Sequence, residues 1–422
     1  MDKFVVEGGT PLNGILHVSG SKNAALPIIA AALLADSNVS ISNIPRLQDI
    51  YTFNNVLRVV GAKVDFNAEK NTVNIDPTGV SYLEAPYDLV RKMRASFYML
   101  GALVGKHGYA KVSLPGGCAW GPRPVDLHLK GMEAMGIDIS LDKGYVIAKA
   151  DKTLKGGEFT LNPSSVGATV NLLLAAVLKS EKFTINNAAK EPDVVQLCNF
   201  LVDMGANISG IGTGTLTIRK VDSLAGTEIH NDPDRIELGT FMIAGAMHPE
   251  SELTLTGCKP EQLGNFPELL RQTGTIVEIN GTEIFIKAPK ELKPVSIETA
   301  IYPGFPTDLQ AQWATMLSQA EGNSSVIDHV YFDRFSYVPE LVRLGADMQL
   351  DQNTVTIKGK TALTGASVMS TDLRASVSLV LAAMVAENTS EVLRVYHLDR
   401  GYESLENKLN PLGAKITRIE AG

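Results

Sequence analysis

The sequence predicts an α/β chain of two similar domains, each built from three copies of one unit whose longest helices are buried. Two observations predict it. The first is a phrase that occurs six times, an amphipathic helix ending in Gly and followed by a short β run. It reads VLRVVGAKVDF around Gly61, GMEAMGIDISL around Gly136 and FLVDMGANISG around Gly205, then LLRQTGTIVEI around Gly274, LVRLGADMQL around Gly345 and KLNPLGAKITRI around Gly413. These glycines recur every 68–75 residues, each where a helix C-terminus turns into left-handed backbone. The second observation is another helix in every unit, rich in Ala and other small apolar residues. These helices begin near Lys22, Arg94, Val166, Ile236, Leu309 and Leu373. Stretches such as SKNAALPIIAAALLAD and TDLRASVSLVLAAMVAEN are hydrophobic all round, which predicts burial.

The strands come next. TVNI, YVIAKA, TLTIRK, EIFIKA and TVTIKG alternate and are rich in β-branched residues, so each unit reads helix, strand, helix, strand, strand. Six units account for the 422 residues, and three make a domain of ordinary size. We set the first domain at 22–231 and the second at 1–21 with 232–422, the opening strand FVVEGG completing the second. Two crossings between domains predict a cleft, a favoured place for a ligand.

Composition narrows the function. Asp and Glu (46) outnumber Lys and Arg (38), a formal charge of −8 that argues against broad nucleic-acid binding. An anionic substrate would need a local cluster of Arg and Lys. The three cysteines, Cys118, Cys198 and Cys258, have neither paired nor metal-like spacing, which points to a reducing compartment without structural disulfides or a zinc site. The N-terminus has no basic segment followed by a long apolar run, and no stretch reaches the roughly 18 apolar residues of a membrane span. The expectation is a cytoplasmic protein with no membrane insertion. Its oligomeric state is left open, with a monomer compatible.

The stretch SLPGGCAWGPRPVDLH, 113–128, carries the most chemistry. Its density of Gly and Pro makes it a loop. Cys118 lies between glycines and five residues before Arg123, and fixed positive charge lowers a thiol's pKa and makes it reactive. A surface connection with an incidental Cys is the other reading. Ser21 suits the N-cap of the first buried helix, but Lys22 sits at an end that is already partly positive, which is better explained if an anion lies beside it than by a solvated lysine. Arg94 repeats the anomaly, although arginine stems often pack on helix starts. Ser164 or Ser165 should cap the third buried helix, with Val166 and Gly167 in its first turn. The amides there could hold a diphosphate, or the site is an ordinary cap. Asp372 reads as a cap. Asp308 follows the Gly/Pro loop YPGFPT and could instead project as a base. Arg334, Arg374 and Arg400 complete a set of cations drawn from both halves, as a small polyanion would require.

Taken together, GSKNAALP, MRAS, LPGGC…RPVDLH, SVGAT, FPTDLQAQ, TDLRAS and HLDRGYE resemble the enolpyruvyl transferase family, in particular its members that act on a nucleotide sugar; the likeness runs from about Lys3 to the C-terminus. The resemblance implies two domains, each a threefold βαβαββ assembly with the helices inside, an inside-out α/β barrel. It implies transfer of the enolpyruvyl group of phosphoenolpyruvate to the 3-hydroxyl of UDP-N-acetylglucosamine, with release of phosphate through a tetrahedral intermediate, in peptidoglycan synthesis. It makes Cys118 the acid that protonates the methylene carbon and places Asp308 near the 3-hydroxyl as proton acceptor. Lys22, Arg123 and Arg400 would hold phosphate and carboxylate, Arg94, Arg334 and Arg374 would complete the positive site, and Asn23 would touch the sugar. Arg123, Pro124, Val125, Asp126 and Leu127 would lie along the uridine, Ser165, Val166 and Gly167 along the diphosphate, and Val330 at the N-acetyl group. No metal or organic cofactor is implied, since the enol supplies the reactivity and arginines neutralise the charge.

Two departures stand out. Residues 162–164 read Asn-Pro-Ser where some members place a Lys on the diphosphate, and Tyr98 stands where some have Trp. Two alternatives are a transferase of the enolpyruvylshikimate-phosphate synthase type and a UDP-sugar sensor without turnover. The Cys-bearing loop and RPVDLH favour the nucleotide sugar, and a sensor would have no need of both Cys118 and Asp308.

Overall fold

The computed structural model describes residues 2–90, 93–115 and 125–420. The chain folds as two compact units. An inserted unit spans Gly20–Asp232, and a terminal unit combines Met1–Ser19 with Pro233–Gly422. The crossings therefore fall at 19/20 and 232/233, slightly displaced from the boundaries set on the sequence. Hydrogen bonds explain the shift. Ser21 N donates to Asp232 O at 2.7 Å and Asn231 Nδ2 to Ser21 O at 2.9 Å, so the cap residues before the first helix already belong with the inserted unit. Ser19 stays with the other, its carbonyl accepting from Asp234 N at 2.8 Å.

Among the described residues each unit holds three four-stranded sheets, and all six sheets follow one plan. A lead strand pairs in parallel with the strand after the buried helix, and that strand pairs antiparallel with a further strand, which in five repeats is the second strand of a closing hairpin and in the last is Lys3–Glu7. In the middle repeat of the inserted unit these are Glu84–Ala85, Tyr109–Ser113, then Tyr145–Lys149 paired with Asp138–Asp142. This is the βαβαββ unit. Two of the lead strands, Glu84–Ala85 and Ile297–Glu298, are only two residues long and too short to alternate, so no residue pattern marks them as strands. Strand Lys3–Glu7 pairs with Thr389–Leu393 and Lys415–Ile419 in the sheet of the last repeat. The lead strands flanking the crossings belong to the opposite unit from the helix that follows them. Asn13–His17 pairs with Glu252–Thr256, and Glu228–His230 pairs with Val39–Ser42.

Apolar helices line the interior of each unit. In the inserted unit they are Lys22–Ala31, Tyr98–His107 and Val166–Ala176; in the terminal unit, Arg235–Met247, Gln310–Leu317 and Leu373–Val385. Every residue from Ile236 to Met247 is buried. Two separate cores result, one within each unit. The approach is tight where Gly101 and Gly105 face the Val166–Ala176 helix. A Cβ at either would meet the carbonyl of Asn171 or Leu174 at 2.4 or 2.2 Å, so only glycine lets these helices touch through backbone. The six repeat glycines end amphipathic helices on the outside, at φ between 93° and 115°. No helix among the described residues is long and apolar enough to cross a membrane.

Candidate active site

In the terminal unit the Gly/Pro loop before Gln310–Leu317 ends in a 3-10 turn, Thr307–Leu309, and Asp308 caps nothing. Its carboxylate lies between two guanidinium groups. Arg334 Nη1 is 2.6 Å from Oδ1, and Arg374 Nη2 donates to Oδ2 at 2.6 Å. Burial alone would push the Asp308 carboxyl up, but Arg374 and then Arg334 overcome it and hold the group far below the usual carboxylate range. Arg374 is only 5% exposed, and Asp308 keeps it protonated against its burial. Asp372 is the cap expected for the last buried helix, accepting from Arg374 N at 2.8 Å and Ala375 N at 3.1 Å.

Behind this triad stands a residue that sequence reasoning missed. Asp328 is fully buried. It accepts from the hydroxyls of Thr299 (2.7 Å) and Thr307 (2.6 Å) and from the amides of Val330 (2.9 Å) and Tyr331 (2.7 Å). Because the Thr307 proton is committed to Asp328, its oxygen faces Arg334 Nη1, which donates at 3.2 Å. Val330 rides on the same turn with its side chain exposed. Arg400 ends another turn, Val395–Arg400, and is half-buried. Its neighbour Asp399 accepts from two nitrogens of Arg418, at 3.0 and 2.5 Å, which anchors that turn.

The inserted unit presents different chemistry. Ser21 caps Lys22–Ala31 through Ala24 N at 3.2 Å, and Asn23 is half-buried in the first turn. Lys22 is not solvated. It is largely buried and its Nζ lies 3.2 Å from Asp49 Oδ2, so the chain itself supplies an anion at this helix start. Nothing in the pattern around Asp49, in the first turn of Gln48–Val60, had marked it. Ser165 is the cap of Val166–Ala176, accepting from Ala168 N at 3.2 Å, with Val166 and Gly167 half-buried in the first turn. Val125 precedes the Asp126–Met135 helix, on which Asp126 faces Lys130 at 3.4 Å and Leu127 is half-buried.

The two segments meet through His128. A Cβ on Gly167 would lie 3.2 Å from His128 Cε1, so this glycine admits the ring beneath the first turn of the Val166 helix. Asn171 fixes the ring's tautomer. Its amide nitrogen donates to Phe97 O at 3.1 Å and to His128 Nδ1 at 2.8 Å, and its oxygen accepts from Gly101 N. Cys118, Arg123 and Pro124 lie outside the described residues, as does the side chain of Arg94. Among the described residues, no group of three or more His, Cys, Asp or Glu could hold a metal ion.

The family profile of EPSP synthase (3-phosphoshikimate 1-carboxyvinyltransferase) matches residues 6–409. The chain is an enolpyruvyl transferase of this family. Proteins named UDP-N-acetylglucosamine 1-carboxyvinyltransferase are similar to this transferase over its whole length. That of Chloroherpeton thalassium is 52% identical across 99% of this chain and 97% of its own, and that of Halothermothrix orenii is 48% identical across 100% of both. The solved enolpyruvyl transferase NikO from Streptomyces tendae superposes with a TM-score of 0.91 at 28% identity, covering 100% of this chain and 99% of its own. An EPSP synthase from Acinetobacter baumannii shares the fold, at TM-score 0.76 and 18% identity over 100% of both chains. The threefold βαβαββ architecture expected of this transferase is thus the family's.

Proposed function

We propose that this transferase moves the enolpyruvyl group of phosphoenolpyruvate to the 3-hydroxyl of UDP-N-acetylglucosamine. The observation that carries the reading is the full-length similarity, at 52% identity, to a protein named for that activity. In the reaction the sugar oxygen bonds to the central carbon of phosphoenolpyruvate while the methylene carbon takes a proton. The tetrahedral intermediate then loses a proton from that carbon and the bond to phosphate breaks, restoring the enol double bond. Cys118 is the acid. Lys22, Arg123 and Arg400 hold phosphate and carboxylate, and Arg94, Arg334 and Arg374 add positive charge. Asn23 and Val330 contact the sugar; Arg123, Pro124, Val125, Asp126 and Leu127 line the uridine; Ser165, Val166 and Gly167 take the diphosphate.

The geometry at Asp308 sharpens its role. A carboxylate paired with two arginines is ionised at every working pH, so it is always ready to accept a hydrogen bond from the hydroxyl. It is also a weak base while both arginines face it. If either guanidinium turns to an anionic substrate, Asp308 loses a counter-charge and gains basicity. On this reading substrate binding itself prepares the proton acceptor. The reaction belongs to peptidoglycan synthesis in the cytoplasm, and so to cell shape and division, and Cys118 is the atom that fosfomycin, an anionic epoxide, would alkylate.

The test is phosphate release from phosphoenolpyruvate with UDP-N-acetylglucosamine, with shikimate 3-phosphate, or with neither. Release with the sugar nucleotide alone is expected. Release with shikimate 3-phosphate instead moves the protein to the other branch of the family, and binding of the sugar nucleotide without release makes it a sensor.

A further inference from the structure

Tyr402, in the HLDRGYE motif, has no part in the chemistry described so far. It is 1% exposed, and its hydroxyl is the point where polar side chains from all three buried helices of the terminal unit meet. Thr240 Oγ1 lies 2.8 Å away, Arg374 Nη1 3.2 Å and Gln312 Nε2 3.3 Å. The proton directions follow from bookkeeping of donors. Arg374 and Gln312 can only donate from these nitrogens, so the Tyr402 oxygen accepts from Arg374 and shares one Gln312 proton with Thr240 Oγ1, which lies 3.2 Å from Gln312 Nε2. Thr240 gives its own proton to Ile236 O at 2.8 Å, so its oxygen must accept the Tyr402 proton. Gln312 Nε2 also donates to Asp308 O at 3.0 Å. One hydroxyl therefore restrains the guanidinium on one oxygen of Asp308 and, through Gln312, the backbone that carries Asp308.

Tyr402 also stands two residues after Arg400. Between them, Gly401 packs so closely on Leu373 that a Cβ would lie 2.5 Å from its Cδ2. The Arg400 turn is thereby seated on the first residue of the helix that bears Arg374. Arg374 and Arg400 have no need of a direct bond to share a reference point.

We propose that Tyr402 is a positioning residue for the transfer reaction, holding the Arg374 guanidinium at the angle that serves both Asp308 and the substrate. The proposal rests on the reading above in which Arg374 and Asp308 act in catalysis. Its test is steady-state kinetics of Tyr402→Phe, Arg374→Lys and the double variant, well below their melting temperatures. Tyr402→Phe should lower kcat about tenfold with the KM for UDP-N-acetylglucosamine unchanged, since one hydrogen bond to a charged group is lost and Tyr402 is not among the proposed nucleotide contacts. Arg374→Lys should lose more, and the double variant should fall no more than about twofold below it, because the hydroxyl acts through the guanidinium. Tyr402→Phe within twofold of the parent, or losses that multiply in the double variant, would overturn the proposal while leaving the functional reading intact. Full activity in Arg374→Lys would remove that reading and the proposal with it. If Tyr402→Phe does not fold, Thr240→Val and Thr240→Ser decide. The valine removes the acceptor for the Tyr402 proton and should reproduce the loss, the serine restores the acceptor and should not, and equal kcat in the two would overturn the proposal.

Discussion

In the terminal unit the buried helices begin among carboxylates. Asp234 accepts from Ile236 N and Glu237 N, Asp372 caps the Leu373–Val385 helix, and Asp308 sits one residue pair before the third, locked between two arginines. In the inserted unit the corresponding caps are hydroxyls, Ser21 and Ser165. Both kinds of cap satisfy an amide, but only the carboxylate also cancels the positive end of the helix. The Val166–Ala176 helix thus keeps its electropositive start, as a ligand diphosphate would need, whereas the terminal unit has built its charges into a fixed, internally neutralised cluster. On the proposed reading, the same repeat would serve as an anion site in one unit and as an acid–base and cation array in the other.

The largest expected effect concerns a property the units share. Burial pushes the thiol of Cys198, in the inserted unit, up to about 12, and that of Cys258, in the terminal unit, also to about 12. Against an ordinary thiol this cuts the thiolate at neutral pH by about 10³-fold. Limited alkylation of the native protein followed by peptide mapping should therefore find label on Cys118 and almost none on the other two. Comparable labelling of Cys198 or Cys258 would mean that one unit opens far more readily than its packing implies.

Removing the anion from each ion pair should separate the units. Asp308→Ala leaves Arg374 buried without the carboxylate that pairs with it and should cost about 3 kcal/mol or more. Asp49→Ala leaves Lys22 short of one bond and should cost roughly 1–2 kcal/mol. Denaturant unfolding of both variants measures the difference, and equal losses would erase the distinction between a locked cluster and a lighter pair.

Ser165→Asp exchanges one good cap for another while adding the missing negative charge. Stability should hold, but affinity for UDP-N-acetylglucosamine should drop about tenfold at low salt, by titration calorimetry. Unchanged affinity would show that the diphosphate does not use this helix start.

A further effect appears in acid. Asp308 has a folded pKa far below its unfolded value near 3.9, so its stabilisation is fully present above that value and is lost as pH falls toward the folded pKa. Between about pH 4 and pH 2, parent stability should fall more steeply than that of Asp308→Asn, by up to about 1.4 kcal/mol per pH unit, one proton's worth. Parallel curves would place Asp308's charge balance elsewhere.

The sequence by itself determined the repeat, the burial of one helix per unit and the serine and aspartate caps. These are local matters: helical periodicity, a glycine where φ must be positive, an oxygen within reach of an amide three residues on. It also marked Asp308, Arg334 and Arg374 as chemistry-bearing, because charge at helix starts and next to Gly/Pro loops stands out against an apolar background. Only the tertiary structure decided what each of them faces. Asp49 is 27 residues from Lys22, Arg374 is 66 from Asp308, and Thr240 is 162 from Tyr402. No periodicity encodes such partners, since they are set by which helices pack together and at what rotation. For the same reason Asp328, Gln312 and Tyr402 looked like ordinary polar residues in one dimension, and the lead strands, two residues long at their shortest, became strands only when a neighbouring strand offered its edge.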